Sequence, residues 1–242
     1  MNWKQAFTSS IGKKLVMALT GVFLILFLIV HCYVNALVFL EWFGPLGRGY
    51  KAYEGAAHFL GSNPLTRIAE IGLLAGIILH IVQGLMLFFD NKTKRPVDYN
   101  VHPGNKSSKW YSRSMGLLGT LILLFLVLHL YHFWVPNRYQ QLVTGHEKDL
   151  YLLMELTFKD LWVVIVYILG CISLAYHLLH GFWSAFQTLG LSTKKYTGLL
   201  RCVGTVYSIV IPLIFIAMPL SFYLGLLPDA ETARAAAQTL AH

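Results

Sequence analysis

The chain has 242 residues, 56% of them hydrophobic and only 12% charged, with a mean hydropathy of +0.59. A soluble domain carries about 25% charged residues, so the composition excludes a water-soluble globule and points to an all-α integral membrane protein. The net charge of +8 does not argue for nucleic acid, because the basic residues track the ends of apolar segments rather than one helix face.

Five apolar segments follow in order: Lys14–Leu40, Leu65–Phe89, Met115–Val135, Leu161–Phe186 and Leu199–Leu226. Each meets the ~20 residues a helix needs to cross the hydrocarbon. The chain reads as one transmembrane domain over residues 1–242, with spans near 14–40, 65–89, 115–135, 161–186 and 199–226 and a tail at 227–242. No cleavable signal is read at MNWKQAFTSSIGKK, since the stretch after it is long enough to span and lacks an Ala-x-Ala-like site. Ser62-Asn63-Pro64 reads as a cap with proline in the first turn of the second helix. Trp42, Trp110, Trp134 and Trp183 fall near span ends, where aromatic belts form. Pro212 and Pro219 should kink the fifth span. The alanine-rich tail Asp229–His242 is compatible with a helix.

Lysine and arginine set the orientation. With the N-terminus inside, the inner segments hold Lys4, Lys13, Lys14, Lys92, Lys94, Arg95, Lys106, Lys109, Arg113, Lys194, Lys195 and Arg201, with only Asp90 and Asp98 as acids. The outer segments hold the remaining basic residues and the other nine acids. The positive-inside rule then expects a cytoplasmic N-terminus and an external C-terminus.

Histidine recurs inside four spans: His31, His80, His129 or His132, and His177 or His180. An imidazole in hydrocarbon is costly unless its nitrogens are satisfied, which makes each a functional candidate. His31 lies about 25 Å along the first helix and His129 about 20 Å along the third, both running outward. His80 and His177 come late in helices that run inward. Depth therefore pairs His31 with His129 and His80 with His177. Two bis-imidazole b haems, bundled by the five helices, are the expected outcome. His132 and His180 stand one turn beyond His129 and His177 on a similar face, but nearer the interface, so His129 and His177 are the preferred members. Gly84 and Gly181, each four residues after a histidine, would let a porphyrin approach the backbone. Gly72 and Gly76 form a GxxxG, read either as close helix packing or as cofactor clearance. Cys32, Cys171 and Cys202 form no CxxC or CxxCH, which argues against c-type haem and an iron–sulfur cluster here. They are expected to pack as small apolar residues.

The segments HCYVN (31–35), YEGAAHFLGSNPLTRIAEIGLLAGIILHIVQG (53–84), LVLHLYHFW (126–134) and YHLLHGFWSAF (176–186) resemble the cytochrome b membrane anchor of succinate:quinone oxidoreductases, the succinate dehydrogenases and fumarate reductases. The likeness is to the single-subunit, five-helix, two-haem type that uses menaquinone, and it covers the first four helices. It implies His80 and His177 as axial ligands of a proximal haem and His31 and His129 of a distal one. It also implies a cytoplasmic iron–sulfur subunit docked on the basic segment Lys92–Arg113, and a flavoprotein with FAD beyond it. Dicarboxylate chemistry would belong to those partners, in an inner cell membrane and in a heterotrimer that can assemble further.

For the propionates of the proximal haem, Trp110, Arg113 and Ser114 are the candidates, with Lys194 as a weaker one. The polar residues that the family places early in the first helix have Thr20 as their nearest match. For the quinone site, Glu54 lies close to where relatives keep a glutamate. Glu70 is a carboxylate inside a span, whose structural role would be an ion pair with Arg67 at i−3. Two other readings compete: a diheme b subunit of a hydrogenase or formate dehydrogenase, and a haem-free histidine-containing transporter or proton channel. A purely structural anchor would not need histidines at paired depths.

Overall fold

The structure, a computed structural model, describes residues 9–93 and 109–240, the side chains of Asn91 and Lys92 excepted. Lys4, Lys94, Arg95, Asp98, His102, Lys106 and His242 lie outside the described residues, as does most of the basic segment expected to dock a partner. Five helices are long and apolar enough to cross a membrane, over Ser10–Phe43, Pro64–Asp90, Met115–Thr144, Leu161–Thr188 and Thr197–Tyr223. No strand occurs among the described residues. The expected all-α membrane architecture of five spans is thus borne out.

Helix α1 (Ser10–Ala36) runs on into a 3-10 segment, Leu37–Phe43. The short α2 (Arg48–Ser62) precedes α3 (Pro64–Thr93), and the expected cap is present: Asn63 Oδ1 accepts from Leu65 N at 2.8 Å. A single turn, α4 (Trp110–Arg113), leads into α5 (Met115–His129). A π-helical turn, Leu130–Trp134, follows at once and passes into α6 (Val135–Thr144). Then come α7 (Leu150–Thr157), α8 (Leu161–Thr188), α9 (Thr197–Tyr223) and α10 (Ala230–Thr239). The third span therefore extends nine residues past the expected end at Val135. Helix α9 is continuous through both Pro212 and Pro219.

The contacts divide the chain into two compact units. One comprises Met1–Phe27, Ile71–Leu123 and Ile172–Val210. Its helices pack by seating aromatic rings on glycines: a Cβ at Gly116 would land on the Phe88 ring, and one at Gly204 on Phe182. Gly76 takes the Phe23 ring, 3.1 Å from where its Cβ would be, while Gly72 faces open space. The GxxxG of α3 is thus a seat for a ring, not a site of backbone approach. Tyr207 OH donates to the Ile25 carbonyl at 2.8 Å, and the Arg201 guanidinium lies 4.6 Å over the Trp183 ring.

The other unit comprises Leu28–Glu70, Leu124–Cys171 and Ile211–His242. Its core gathers Val38, Tyr53, Tyr151, Phe158, Val164, Tyr167 and Met218 with Ala230 and Ala233 of α10. Tyr151 is fully buried, with its hydroxyl donating to the Pro228 carbonyl at 2.9 Å, as a buried phenol requires. Carboxylates tie the short helices together. Glu41 accepts from the Gly47 and Tyr50 amides at the start of α2. Glu155 accepts from Ala230 N at the start of α10, and Asp229 caps that helix through Thr232 N. Cys32 and Cys171 are buried as expected, whereas Cys202 is exposed on the side of α9.

Gly47 is the tightest point of this unit. Its φ is +84°, and a Cβ there would meet the backbone of α10, with Ala233 O at 2.8 Å. Gly47→Ala should destabilise the fold by about 2 kcal/mol or more and lower the thermal midpoint in detergent by several degrees. Gly55→Ala, in the middle of α2 with no atom within 4 Å, should be neutral or slightly stabilising.

Candidate functional site

Two pairs of imidazoles stand out, one in each unit. In the first unit, His80 of α3 and His177 of α8 face each other with ring centroids 6.2 Å apart and planes at 65°. Thr20 Oγ1 lies 3.0 Å from His80 Nδ1 and donates its one proton to the Val16 carbonyl at 2.8 Å. The hydroxyl can therefore only accept from the imidazole, so Nδ1 carries the proton and Nε2 keeps its lone pair. Small residues flank the pair: Gly21 of α1 would bring a Cβ 3.6 Å from His80 Cε1, and Gly119 of α5 one 4.0 Å from His177 Cε1. Sequence reading placed Gly84 and Gly181 near these rings and missed Gly21 and Gly119, because adjacency across helices leaves no mark in the spacing.

In the second unit, His31 of α1 and His129 of α5 stand 5.8 Å apart between centroids, with planes at 88°. Asn35 Nδ2 donates to the His31 carbonyl at 2.7 Å and lies 3.3 Å from its Nδ1. Phe125, Phe133 and Tyr167 surround His129, and Phe215 of α9 covers His31. His132 is elsewhere: its Nδ1 meets Tyr167 OH at 3.0 Å and its ring stacks on that phenol. The π-helical turn that begins right after His129 displaces His132 from the face it would share in an unbroken α-helix. Between the neighbours left open by sequence, the residues that meet a partner histidine are His129 and His177.

Among the described residues no cluster of three or more histidine, cysteine, aspartate or glutamate side chains could hold a bare metal ion. Paired histidines suit an iron that brings four ligands of its own. Two metal–nitrogen bonds of about 2 Å, with about 1 Å more from each nitrogen to its ring centre, put trans imidazole centroids about 6 Å apart. Both pairs have that separation. One member of each pair also has an unsatisfied nitrogen: Nδ1 of His129 and Nδ1 of His177 are buried without a hydrogen-bond partner. The residues fit an iron porphyrin at each pair.

The propionate candidates separate. The Trp110 ring packs 4.7 Å from Tyr176, the residue before His177. Ser114 links α4 to α5 by accepting from Leu118 N and donating its amide to the Trp110 carbonyl. Arg113 is exposed on α4, and Lys194 is exposed in the turn before α9.

Both carboxylate candidates lie in the second unit. Glu70 has each oxygen engaged, one by Trp134 Nε1 at 2.7 Å and one by Arg67 Nη1 at 3.0 Å, so the expected ion pair with Arg67 is present. Glu54 accepts from Tyr151 N at 2.8 Å and lines a polar cleft of about 480 Å³ with Tyr50, His58, Glu147, Asp149 and Arg234. Burial pushes the Glu54 carboxyl up to about 7; the Tyr151 amide opposes the rise and nearby Asp149 adds to it. Asp149 itself stays below the usual carboxylate range: burial pushes it up, but the Leu152 amide, Arg234 and Tyr50 together outweigh that.

A carboxyl raised in the fold holds its proton where the unfolded chain has released it. The Glu54 contribution to stability therefore falls as pH rises from about 4.5 to about 7 and is level above. Glu54→Gln keeps an acceptor for Tyr151 N and removes the titration. Thermal midpoints compared at pH 5 and pH 8 should fall more in the wild type than in Glu54→Gln.

No family model matches the chain, and no solved structure matches it. It is similar to the succinate dehydrogenase cytochrome b558 subunit of Bacillus subtilis (strain 168), 26% identical over 168 residues, which is 69% of this chain and 73% of that protein. The resemblance drawn from the four histidine-bearing segments is thereby borne out: the chain is similar to a succinate dehydrogenase cytochrome b subunit.

Proposed function

We propose that this chain is the cytochrome b membrane subunit of a succinate:quinone oxidoreductase, holding one b haem on His80 and His177 and a second on His31 and His129. The observation that carries the reading is the double pairing: two histidine couples on four spans, at 6.2 and 5.8 Å, each within one unit of the fold. Bound there, each haem supplies a one-electron carrier, and the two together serve transfer between an iron–sulfur partner and membrane quinone.

The protein's own residues orient the ligands. Thr20 holds His80 with Nε2 available for iron, the role that a hydrogen-bonded second shell plays in metal sites. Asn35, one turn after His31, braces that ring against its own backbone. Of the two carboxylates, Glu54 suits proton exchange with a quinone of the menaquinone class, because its affinity for protons sits near neutrality and its cleft is polar. Glu70, with both oxygens engaged, serves to join α3 to the turn at Trp134.

The iron–sulfur subunit and the FAD flavoprotein bind on the side carrying the N-terminus, which is the cytoplasmic side by the distribution of lysine and arginine. The C-terminus lies outside, and the membrane is the inner cell membrane.

Pyridine haemochrome assay of the purified complex should give two b haems per copy of this chain. Alanine at His80 or His177 should remove one haem and leave the other, and alanine at His31 or His129 should do the converse. His132→Ala and His180→Ala should retain both. A single haem in the wild type, none, or loss on changing His132 with retention on changing His129, would overturn the assignment.

A further inference from the structure

Three buried side-chain atoms among the described residues lack a hydrogen-bond partner: the Nδ1 atoms of His129 and His177, and Oε1 of Gln83. The histidines belong to the proposed iron sites. Gln83 does not, and it is 3% exposed within the span Pro64–Asp90. A buried amide in a membrane interior is expensive unless something bonds it, so its environment is incomplete.

Its position narrows what completes it. Gln83 follows His80 by three residues and precedes Asp90 by seven, so the three share one flank of α3. Helix α1 runs antiparallel along this stretch: Thr20 meets His80, Met17 Cε lies 3.7 Å from where a Gly84 Cβ would be, and Lys13 Nζ binds Asp90 at 2.6 Å. Gln83 therefore sits between a proposed iron ligand and a buried cation, Lys13, itself 8% exposed. A porphyrin is apolar on both faces and carries its two carboxyl groups at one edge, so a group on its iron ligand's helix, one turn away, is well placed for that edge. A primary amide offers a donor and an acceptor there, and rotation by 180° exchanges them.

We infer that Gln83 hydrogen-bonds a carboxyl group at the edge of the porphyrin whose iron His80 and His177 hold. The inference rests on the proposed haem at that pair and adds a contact from α3 to the candidates Trp110, Arg113, Ser114 and Lys194. An amide N–H on the carboxylate disperses negative charge near the iron, so its loss favours the ferric state.

The test is potentiometric titration of the haem bands in the purified complex carrying Gln83→Met, which keeps length and apolar packing, and Gln83→Glu. Both variants should retain two haems. The midpoint of the haem that His80→Ala removes should shift to lower potential, at least as far in Gln83→Glu as in Gln83→Met, and its propionate-bending band in the resonance Raman spectrum should move. The other haem should be unchanged and serves as the control for folding. Unaltered midpoints and an unmoved Raman band would overturn the inference while leaving the two-haem reading intact. Loss or shift of both haems together would also overturn it, since Gln83 would then support the bundle as a whole. Absence of any His80-dependent haem in the wild type would instead refute the parent reading.

Discussion

Placing an imidazole inside an apolar helix bundle is unfavourable, and most of this structure can be understood from how that cost is met four times. Each ring has two nitrogens, and water is not at hand to satisfy them. For His80 the Nδ1 requirement falls to Thr20, and for His31 Asn35 stands beside it. His129 and His177 keep a buried Nδ1 with no partner, yet each ring faces another histidine at the distance an iron would span. Small residues, Gly21 and Gly119, flank the His80–His177 pair, and apolar rings, Phe125 and Phe215, pack on His129 and His31.

A different economy operates in the loops of the second unit. Acidic residues there serve helix starts: Glu41 for α2, Glu54 with Asp149 for α7, and Glu155 with Asp229 for α10. A carboxylate at a helix N-terminus satisfies orphan amides and meets the positive end of the dipole. The arrangement draws three short helices, none stable alone, onto a core built around Tyr151. Glu54 has a second consequence, because the same burial that makes it a cap raises its proton affinity toward neutrality. Arg234 of α10 reaches Asp149 and Tyr50 across the cleft, so the tail is part of the wall of that site.

The five spans were legible from length and hydropathy alone, since only a helix can run through hydrocarbon unaided. The histidine pairing was legible because depth along a helix is set by residue count. Which of His129 and His132 faces His31 was not, because the π-helical turn at Leu130–Trp134 and the phenol of Tyr167 set it, and neither leaves a periodic signal. Helix α7 is too short to announce itself and α2 too weakly apolar, and what holds the start of α7, the Glu54 carboxylate on the Tyr151 amide, is distant in sequence. Gly76 was ambiguous for the same reason: what it faces, the Phe23 ring, belongs to another helix. Cys202 shows the limit of composition, which groups it with two buried cysteines although it is exposed.

The central claim is that both histidine pairs ligate iron from its two axial sides. Electron paramagnetic resonance of the oxidised complex measures that directly, because two imidazoles on one ferric haem force the low-spin state. The account predicts two distinct low-spin ferric signals, in equal amounts, with no high-spin signal. A single low-spin species, or a high-spin signal comparable in amount, would contradict it.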